Sequence, residues 1–288
     1  MTTQTQTQTS TPQIKASRPP SIPCGPVQTS LNFYTPPPDG SKPHNYVEAP
    51  PPGQPQRNFD DATVEVTVND VRGHEADFNI NTNAFATLTN VPPSAEKDFT
   101  DDSSIKEKYY PEVEKILLDN VDGATRILIF DHTVRRANPN AARAPVTRVH
   151  IDQTAASAKA RVRFHLPAEA DELLKSRVRI INVWRPINGP VESFPLAFAD
   201  STSVADESVV GVEHRYPDRT GETAAVKYAE GQRWWYWSGI GDDERILLQC
   251  ADSGGTQARV PHTAFVDPRS EEGAKPRESI EVRALVFG

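Results

Sequence analysis

The sequence contains few cysteines and no long apolar run. Its 288 residues include only Cys24 and Cys250. Two such widely separated cysteines predict reduced thiols rather than a disulfide framework. No stretch of about 18 apolar residues is present, which argues against a membrane-spanning helix, and the N-terminus lacks a basic segment followed by an apolar one, as a signal peptide would have. We therefore expect a cytoplasmic protein that does not associate with membranes.

Positive charge is also scarce. The chain has 31 Lys and Arg residues against 39 Asp and Glu residues, which gives a formal net charge of −8. No basic run interleaved with aromatic residues occurs, so nucleic acid is not an expected partner. A small-molecule substrate is the expected partner instead, and a homodimer is compatible with the sequence.

The N-terminal part is poor in apolar residues and rich in proline. The chain opens with a Thr/Gln repeat, and half of its 26 prolines precede residue 56. Such a segment cannot bury enough apolar surface to offset the entropy lost on ordering. We predict that residues 1–57 form a partly mobile, Pro-rich and low-complexity arm, which contacts the body of the protein at Leu31-Asn32-Phe33-Tyr34. Residues 58–288 contain no obvious linker and predict one domain.

That domain is predicted to be mainly β. Strand-like runs rich in β-branched residues cover residues 62–70, 125–132, 177–186 and 244–250. Helices are predicted at residues 105–118 and 167–175, a small and flexible segment at 155–159, and a loop-rich region at 188–222. Many strands with few helices and no repeat indicate a double-stranded β-helix, a jelly-roll or cupin-like core with flanking helices.

A candidate metal site begins at His150-Ile151-Asp152. Side chains alternate along a strand, so His150 and Asp152 point the same way. His262, in a second strand-like run, supplies another imidazole. Two histidines and one carboxylate form the facial set that binds non-haem Fe(II) and leaves positions open. The alternative is structural: His150 as a hydrogen-bonded core residue, Asp152 at a turn, and His262 at a strand end.

A candidate carboxylate clamp follows at Arg277-Glu278-Ser279. A planar guanidinium forms two parallel bonds to a carboxylate, and a serine hydroxyl adds a third. Arg283 lies on the same face of the predicted last strand and is the alternative clamp. A metal with open positions beside such a clamp indicates an Fe(II)/2-oxoglutarate-dependent oxygenase that uses O2. The His-x-Asp motif alone is weak evidence for a metal site. The motif together with His262 and the Arg277-x-Ser279 clamp is a moderately specific pattern.

Several segments together resemble a known family. They are residues 70–73, 110–112, 149–153, 182–186, 189–191, 195–197, 235–236, 243–244, 261–265 and 276–283. Across about residues 60 to 288, the chain resembles the fungal hydroxylase/desaturase family of Fe(II)/2-oxoglutarate-dependent oxygenases, which includes gibberellin-desaturase-like proteins and relatives of the cephamycin methoxylation subunit. The resemblance implies a double-stranded β-helix, with Fe(II) ligands His150, Asp152 and His262 and a 2-oxoglutarate clamp at Arg277 and Ser279.

The resemblance also implies an activity. Members oxidise natural-product or amino-acid-derived intermediates of fungal secondary metabolism by hydroxylation, desaturation or oxidative cyclisation. Two other classes stay open: a metal-dependent hydrolase with the same ligands, which would not need Arg277, and a non-catalytic jelly-roll partner subunit of another enzyme.

Two further residues are candidates for substrate contact. Trp184 and Arg185 end a strong strand, and alternation places them on opposite faces. Trp184 either lines the pocket or packs in the core, and Arg185 either binds a substrate carboxylate or pairs with an acid. The aromatic run Trp234–Trp237 is split between two faces by the same alternation, which favours core and dimer contacts over one aromatic cage.

Overall fold

The computed structural model describes residues 22–137, 143–254 and 258–288. Within these ranges the chain forms fourteen strands in two sheets, numbered in chain order. The first sheet contains, in spatial order, β1 (Val27–Thr35), β3 (Asp60–Asp70), β11 (Trp234–Tyr236), β8 (Leu196–Ala199), β13 (His262–Ala264), β6 (His150–Ile151), β10 (Thr220–Val226), β9 (Val209–Arg215) and β2 (His44–Tyr46). The second contains β4 (Phe85–Leu88), β12 (Arg245–Asp252), β7 (Val178–Pro186), β14 (Glu278–Phe287) and β5 (Arg126–Arg136).

Helices are few and short in the described ranges. They are α1 (Ile80–Asn83), α2 (Asp102–Ser104), α3 (Tyr110–Asn120), α4 (Ala155–His165) and α5 (Ala170–Leu173). A π-helical turn, Ile105–Tyr109, joins α2 to α3. Single 3-10 turns lie at Glu75–Asp77, Ser201–Ser203 and Asp206–Ser208. None of these helices is long and apolar enough to cross a membrane.

The two sheets face each other across a shared apolar core. One cluster joins side chains of the nine-stranded sheet to the inner face of β7, β12 and β14, and to α4 and α5. A second cluster lies between the outer face of the five-stranded sheet and the segment that ends in α3. Strands β7 and β14 are thus covered on both faces, and nearly all of their residues are buried. The predicted double-stranded β-helix with flanking helices is confirmed.

The helix predicted at residues 105–118 is present, with an irregular first turn. Residues 105–109 form the π-helical turn, and the regular helix α3 begins at Tyr110. Pro111 lies in the first turn of α3, where its missing N–H would have no partner inside the helix. Val113 and Leu117 are buried against the five-stranded sheet, as their helical spacing predicts.

One local prediction was wrong. The segment Ala155–Lys159 was expected to be flexible, but it opens helix α4. The hydroxyl of Thr154 accepts from the Ser157 amide while the Ser157 hydroxyl accepts from the Thr154 amide, a reciprocal cap that starts the helix. Residues 188–222 were expected to be loop-rich. The short strands β8 and β9 and the beginning of β10 lie there, and loops and single 3-10 turns make up the rest.

The predicted arm lies partly outside the described residues. Residues 1–21, which include the Thr/Gln repeat, are not described. Within residues 22–57, β1 pairs with β3 in antiparallel register, and Leu31, Phe33 and Tyr34 are buried. The contact expected at residues 31–34 is therefore present, while the domain boundary at residue 57 stays a prediction. Cys24 is exposed, Cys250 is buried, and both are unpaired.

Candidate metal centre

Two histidines lie side by side on neighbouring strands. His262 on β13 is the direct antiparallel partner of His150 on β6, and their ring centroids are 4.5 Å apart. Asp152 follows the end of β6 and points to the same side as His150. One possible ligand atom from each of the three residues lies within 4.8 Å of the others. Strand alternation and register therefore gather two imidazoles and one carboxylate at one point.

Hydrogen bonds to the backbone fix which nitrogen of each imidazole is free. The Nδ1 atom of His150 is 2.8 Å from the carbonyl of Arg148, and Nδ1 of His262 is 3.1 Å from the carbonyl of Val260. A carbonyl only accepts, so each Nδ1 carries a proton, and Nε2 is the ring atom that can bind a metal. Both Nε2 atoms face Oδ1 of Asp152, at 3.3 Å from His150 and 3.9 Å from His262. Hydrogen bonds from the other ring nitrogen, as made here by Nδ1, orient imidazoles toward a metal.

The Asp152 carboxylate is held from the opposite sheet. Its Oδ2 atom accepts a 2.9 Å bond from Nδ2 of Asn182 on β7 and a 2.6 Å bond from Nε of Arg283 on β14. These two donors occupy Oδ2 and leave Oδ1 directed at the histidines. The centre thus bridges the sheets, since its three candidate ligands come from the nine-stranded sheet and these two donors from the five-stranded sheet.

The protonation states suit a cation. Burial alone would raise the pKa of Asp152, but Arg283 and the two histidines hold it well below its usual value. Burial, with the neighbouring His150 acting in the same direction, lowers the pKa of His262 to about 4. At neutral pH the site therefore offers an ionised carboxylate and a neutral His262 imidazole. These are the forms in which such side chains bind a divalent metal.

A pocket opens beside the centre and contains a buried guanidinium. Arg277 is only 2% exposed, and its Nη1 donates to the carbonyl of Phe194. Its Nε atom has no hydrogen-bond partner among the described residues. Burial lowers the pKa of Arg277 to about 9, with the charge of Arg135 acting in the same direction. The side chain is still protonated at neutral pH, and its free donor is available to an anion that enters the pocket.

The pocket also contains the serine that accompanies Arg277 in the sequence. The residues that line it are Thr133, Arg135, Val146, His150, Trp184, Leu196, His262, Thr263, Ala264, Arg277, Ser279 and Glu281. Ser279 is almost fully buried there. Two predicted iron ligands and both predicted clamp residues therefore border one cavity.

Arg283, the alternative clamp, is already bound by side chains. Its Nε contacts Asp152, Nη1 lies 3.1 Å from Asp131 and 3.0 Å from the Thr133 hydroxyl, and Nη2 contacts Glu281. Arg283 does not line the pocket that contains Arg277. Its guanidinium is therefore paired with Asp152, a candidate ligand, and not free for a co-substrate.

The two candidate substrate residues lie on opposite faces of β7. Trp184 lines the pocket, and its ring lies 5.5 Å from the guanidinium carbon of Arg277. Arg185 points into the outer layer, where its guanidinium lies over the rings of Phe99 and Tyr109. The structure therefore brings Trp184 to the site and places Arg185 away from it.

Three site residues were missed by sequence reasoning. Asn182 orients Asp152, Arg135 lines the pocket, and Glu281 approaches His262 to within 3.9 Å. Burial raises the pKa of Glu281 to about 7, and the negative charge of Asp152 adds to this effect. Alternation along β14 from Arg277 and Ser279 could have identified Glu281. Nothing local marks Arg135, which reaches the site because Arg135 pairs with Ser279 across β5 and β14.

The donor set fits ferrous iron. Two imidazole nitrogens and one carboxylate oxygen are the donors of a facial triad, which would hold the iron and leave coordination positions open for a co-substrate and O2. A structural zinc site would instead close its coordination with a fourth protein ligand. Among the described residues, no other group of three or more His, Cys, Asp or Glu side chains converges in this way.

Comparisons with known proteins identify relatives of this chain. A family model described as "YDMC: Oxidoreductase/YMDC permease-like domain" matches residues 31–287. The hydroxylase/desaturase poxK of Penicillium oxalicum is 35% identical, over 93% of this chain and 93% of that protein. The Fe(II)/2-oxoglutarate-dependent dioxygenase nvfI of Aspergillus novofumigatus is 32% identical, over 89% of this chain and 95% of its own. The solved structure of the iron and alpha-ketoglutarate-dependent endoperoxidase NvfI superposes with a TM-score of 0.83 at 28% identity, covering 92% of this chain and 98% of that one.

The fold and the site define an Fe(II)/2-oxoglutarate-dependent oxygenase with a double-stranded β-helix core. More specifically, the chain belongs to the fungal hydroxylase/desaturase family of these enzymes. The resemblance inferred from the sequence motifs is confirmed.

Proposed function

We propose that this oxygenase oxidises a small natural-product or amino-acid-derived intermediate, by hydroxylation, desaturation or oxidative cyclisation. All three outcomes begin with removal of a hydrogen atom from the substrate. Bound iron, together with 2-oxoglutarate and O2, supplies the oxidant, while the protein supplies binding, orientation and exclusion of side reactions. The residues at the metal do not distinguish the three outcomes.

One observation carries the proposal: the free Nε2 atoms of His150 and His262 and Oδ1 of Asp152 converge beside a pocket that contains an incompletely bonded Arg277. In this proposal the first three residues hold the iron, and Arg277 with Ser279 holds the distal carboxylate of 2-oxoglutarate. A guanidinium buried among apolar groups needs an anionic partner to offset its desolvation.

The rest of the pocket favours a polar substrate. Arg135 lies directly opposite Ser279 in register and lines the same cavity as Thr133 and Thr263. Burial lowers the pKa of Arg135, and the nearby charge of Glu281 opposes that shift. Val146 completes part of an apolar wall. We therefore infer a substrate that combines an acidic or other polar group with an apolar frame.

Consumption of 2-oxoglutarate distinguishes the proposed oxygenase from the alternative, a metal-dependent hydrolase with the same ligands. Protein reconstituted anaerobically with Fe(II) and then supplied with 2-oxoglutarate and O2 should form succinate, slowly without substrate and faster with it. Protein loaded with Zn(II) should form none. Succinate formation that is equal for wild type and His150→Ala, or absent in both, would reject the proposed function.

Oligomeric state and location belong to the same proposal. The aromatic run at Trp234–Trp237 is divided between two apolar clusters inside the chain, with Trp235 only partly buried. It therefore gives little support to a dimer interface. We propose that the protein is a monomer or weak homodimer in the cytoplasm. Its partner is a small molecule and not nucleic acid. Light scattering of the purified protein tests the oligomeric state.

A further inference from the structure

Away from the metal centre, two arginines lie opposite each other on neighbouring strands. Trp184 on β7 pairs with Ile246 on β12, so the next positions, Arg185 and Arg245, are cross-strand neighbours. Both project from the outer face of the five-stranded sheet, toward the layer that includes Tyr109. Arg245 is 0% exposed and Arg185 is 5% exposed. Like charges directly opposite each other destabilise a sheet, and burial increases the effect.

Several donors of this cluster have no hydrogen-bond partner among the described residues. They are Nη1 of Arg185, Nε and Nη2 of Arg245, and the Tyr109 hydroxyl, although Arg245 and Tyr109 are close enough to interact with each other. Other donors of the two arginines are used locally: Nη1 of Arg245 donates to the carbonyls of Asp242 and Glu244, and Nε of Arg185 to that of Pro186. Buried polar groups are normally bonded, so a convergence of free donors indicates a missing acceptor.

The protein supplies little negative charge to this cluster. Within the described part of the chain, no carboxylate forms an ion pair with Arg245, and Asp242 approaches Arg185 only to 3.9 Å. Asp242 is also bound by the Gly189 amide. Glu112 acts on Arg245 from a longer distance, and its carboxylate accepts a 2.7 Å bond from the Ala95 amide. Two buried positive charges therefore remain only partly compensated, which is unfavourable without an anion.

We propose that Arg185, Arg245 and Tyr109 bind a small inorganic monoanion, such as chloride, between the sheet and the π-helical turn. Burial raises the pKa of Tyr109, so its hydroxyl stays protonated and can donate to the anion. Phe99 and Tyr109 lie over the Arg185 guanidinium at 5.5 and 5.9 Å, so aromatic rings border the proposed site. The site lies on the opposite face of β7 from Trp184 and the metal centre, and is thus distinct from the co-substrate clamp.

Bromide is a suitable probe, because it resembles chloride in size and charge and scatters X-rays anomalously. Crystals of the full chain grown in sodium bromide should show an anomalous peak within hydrogen-bond distance of both guanidinium groups. In solution, chloride or bromide should raise the Tm above that in gluconate at equal ionic strength, by about 3 °C at ten times the Kd. Tyr109→Phe should reduce this increase, and Arg245→Met should abolish it.

Arg179→Met is the matched control. Arg179 is also fully buried with two unbonded nitrogens, but it donates to the carbonyls of Asp122 and Gly288 and lies outside this cluster. Its variant should keep the halide effect on Tm. If Arg245→Met does not fold, the anomalous peak in the bromide crystal and the halide effect on the Tm of Tyr109→Phe still test the proposed anion site. Absence of the peak, a peak without any halide effect on Tm (binding at crystal concentration only), or an equal effect in Tyr109→Phe and wild type would each overturn the proposal.

Discussion

The Nε atom of Arg283 lies 2.6 Å from Oδ2 of Asp152, and this contact joins the last strand of one sheet to a metal-ligand candidate of the other. It directs the second oxygen of Asp152 toward the histidines. The residue that sequence reasoning kept as an alternative co-substrate clamp is thereby engaged with the ligand set itself.

Replacing Arg283 should weaken iron binding. In Arg283→Met the Asp152 carboxylate loses a charged donor and its orientation, so Fe(II) affinity should fall about 10- to 100-fold. Breaking one side of a buried ion pair should also lower the free energy of unfolding, by about 3 kcal/mol. Anaerobic Fe(II) titration and urea unfolding measure the two effects.

Arg177→Met controls for the loss of stability alone. Arg177 forms a comparable ion pair with Asp252, at 2.6 Å, away from the metal centre. Its variant should be less stable and yet bind Fe(II) as wild type does. Equal iron affinity in Arg283→Met and Arg177→Met would show that Arg283 does not orient the ligand.

Replacing Asn182 should also weaken iron binding, but by less than replacing Arg283. Asn182→Ala removes a neutral donor to Asp152, which is worth about 1 kcal/mol, or roughly fivefold in affinity. Competition with a ferrous chelator under anaerobic conditions gives the affinity. An Asn182→Ala protein with unchanged Fe(II) affinity and unchanged metal spectrum would contradict the role given to this amide.

Replacing Arg277 should weaken the binding of 2-oxoglutarate and leave the binding of iron unchanged. Arg277→Ala removes the buried cation proposed to bind the distal carboxylate, so the KM for 2-oxoglutarate should rise about 10- to 100-fold. Fe(II) affinity without co-substrate should stay as in wild type. The reverse pattern, with iron affinity reduced and the KM unchanged, would assign the clamp elsewhere.

The metal-free protein should lose stability in mild acid because of His262. Its pKa is lowered from 6.5 to about 4, so between these values the unfolded chain binds a proton that the folded chain does not. Stability from this group is complete above pH 6.5 and falls as the pH decreases toward 4, by about 3 kcal/mol in all. Urea unfolding in the presence of a chelator, from pH 7.5 to 4.5, measures the slope.

The corresponding control is His262→Gln, which keeps a polar side chain but cannot titrate in this range. Its stability should depend less steeply on pH than that of wild type. Parallel slopes for the two proteins would mean that other groups cause the acid sensitivity.

The sequence predicts the parts of the site that depend on local alternation. His150 and Asp152 share a face because they are two residues apart, and Arg277 and Ser279 do so for the same reason. The contacts between strands were not predictable in this way. Asn182 and Arg135 reach the site through the register of β7 and β5 with β14, which no local pattern encodes.

For the fold as well, elements with a strong local pattern were predictable from the sequence and others were not. Strand β7 was identified because it is rich in the β-branched residues Val and Ile, which are typical of buried strands. Helix α4 was missed because its few buried positions, Ala158 and Val162, give a weak apolar stripe. Its start was nevertheless encoded by the Thr154 and Ser157 cap, a signal that depends on side-chain hydrogen bonds rather than on hydropathy.

The most direct test of the account is anaerobic titration of the protein with Fe(II) in the presence of 2-oxoglutarate, followed in the visible spectrum. A weak charge-transfer band should grow to saturation at one iron per chain and be absent in His150→Ala and Asp152→Ala. Arg277→Ala should still bind iron but need more 2-oxoglutarate to develop the band. A wild-type protein that gives no band, or a band that survives loss of His150, would contradict the proposed iron site.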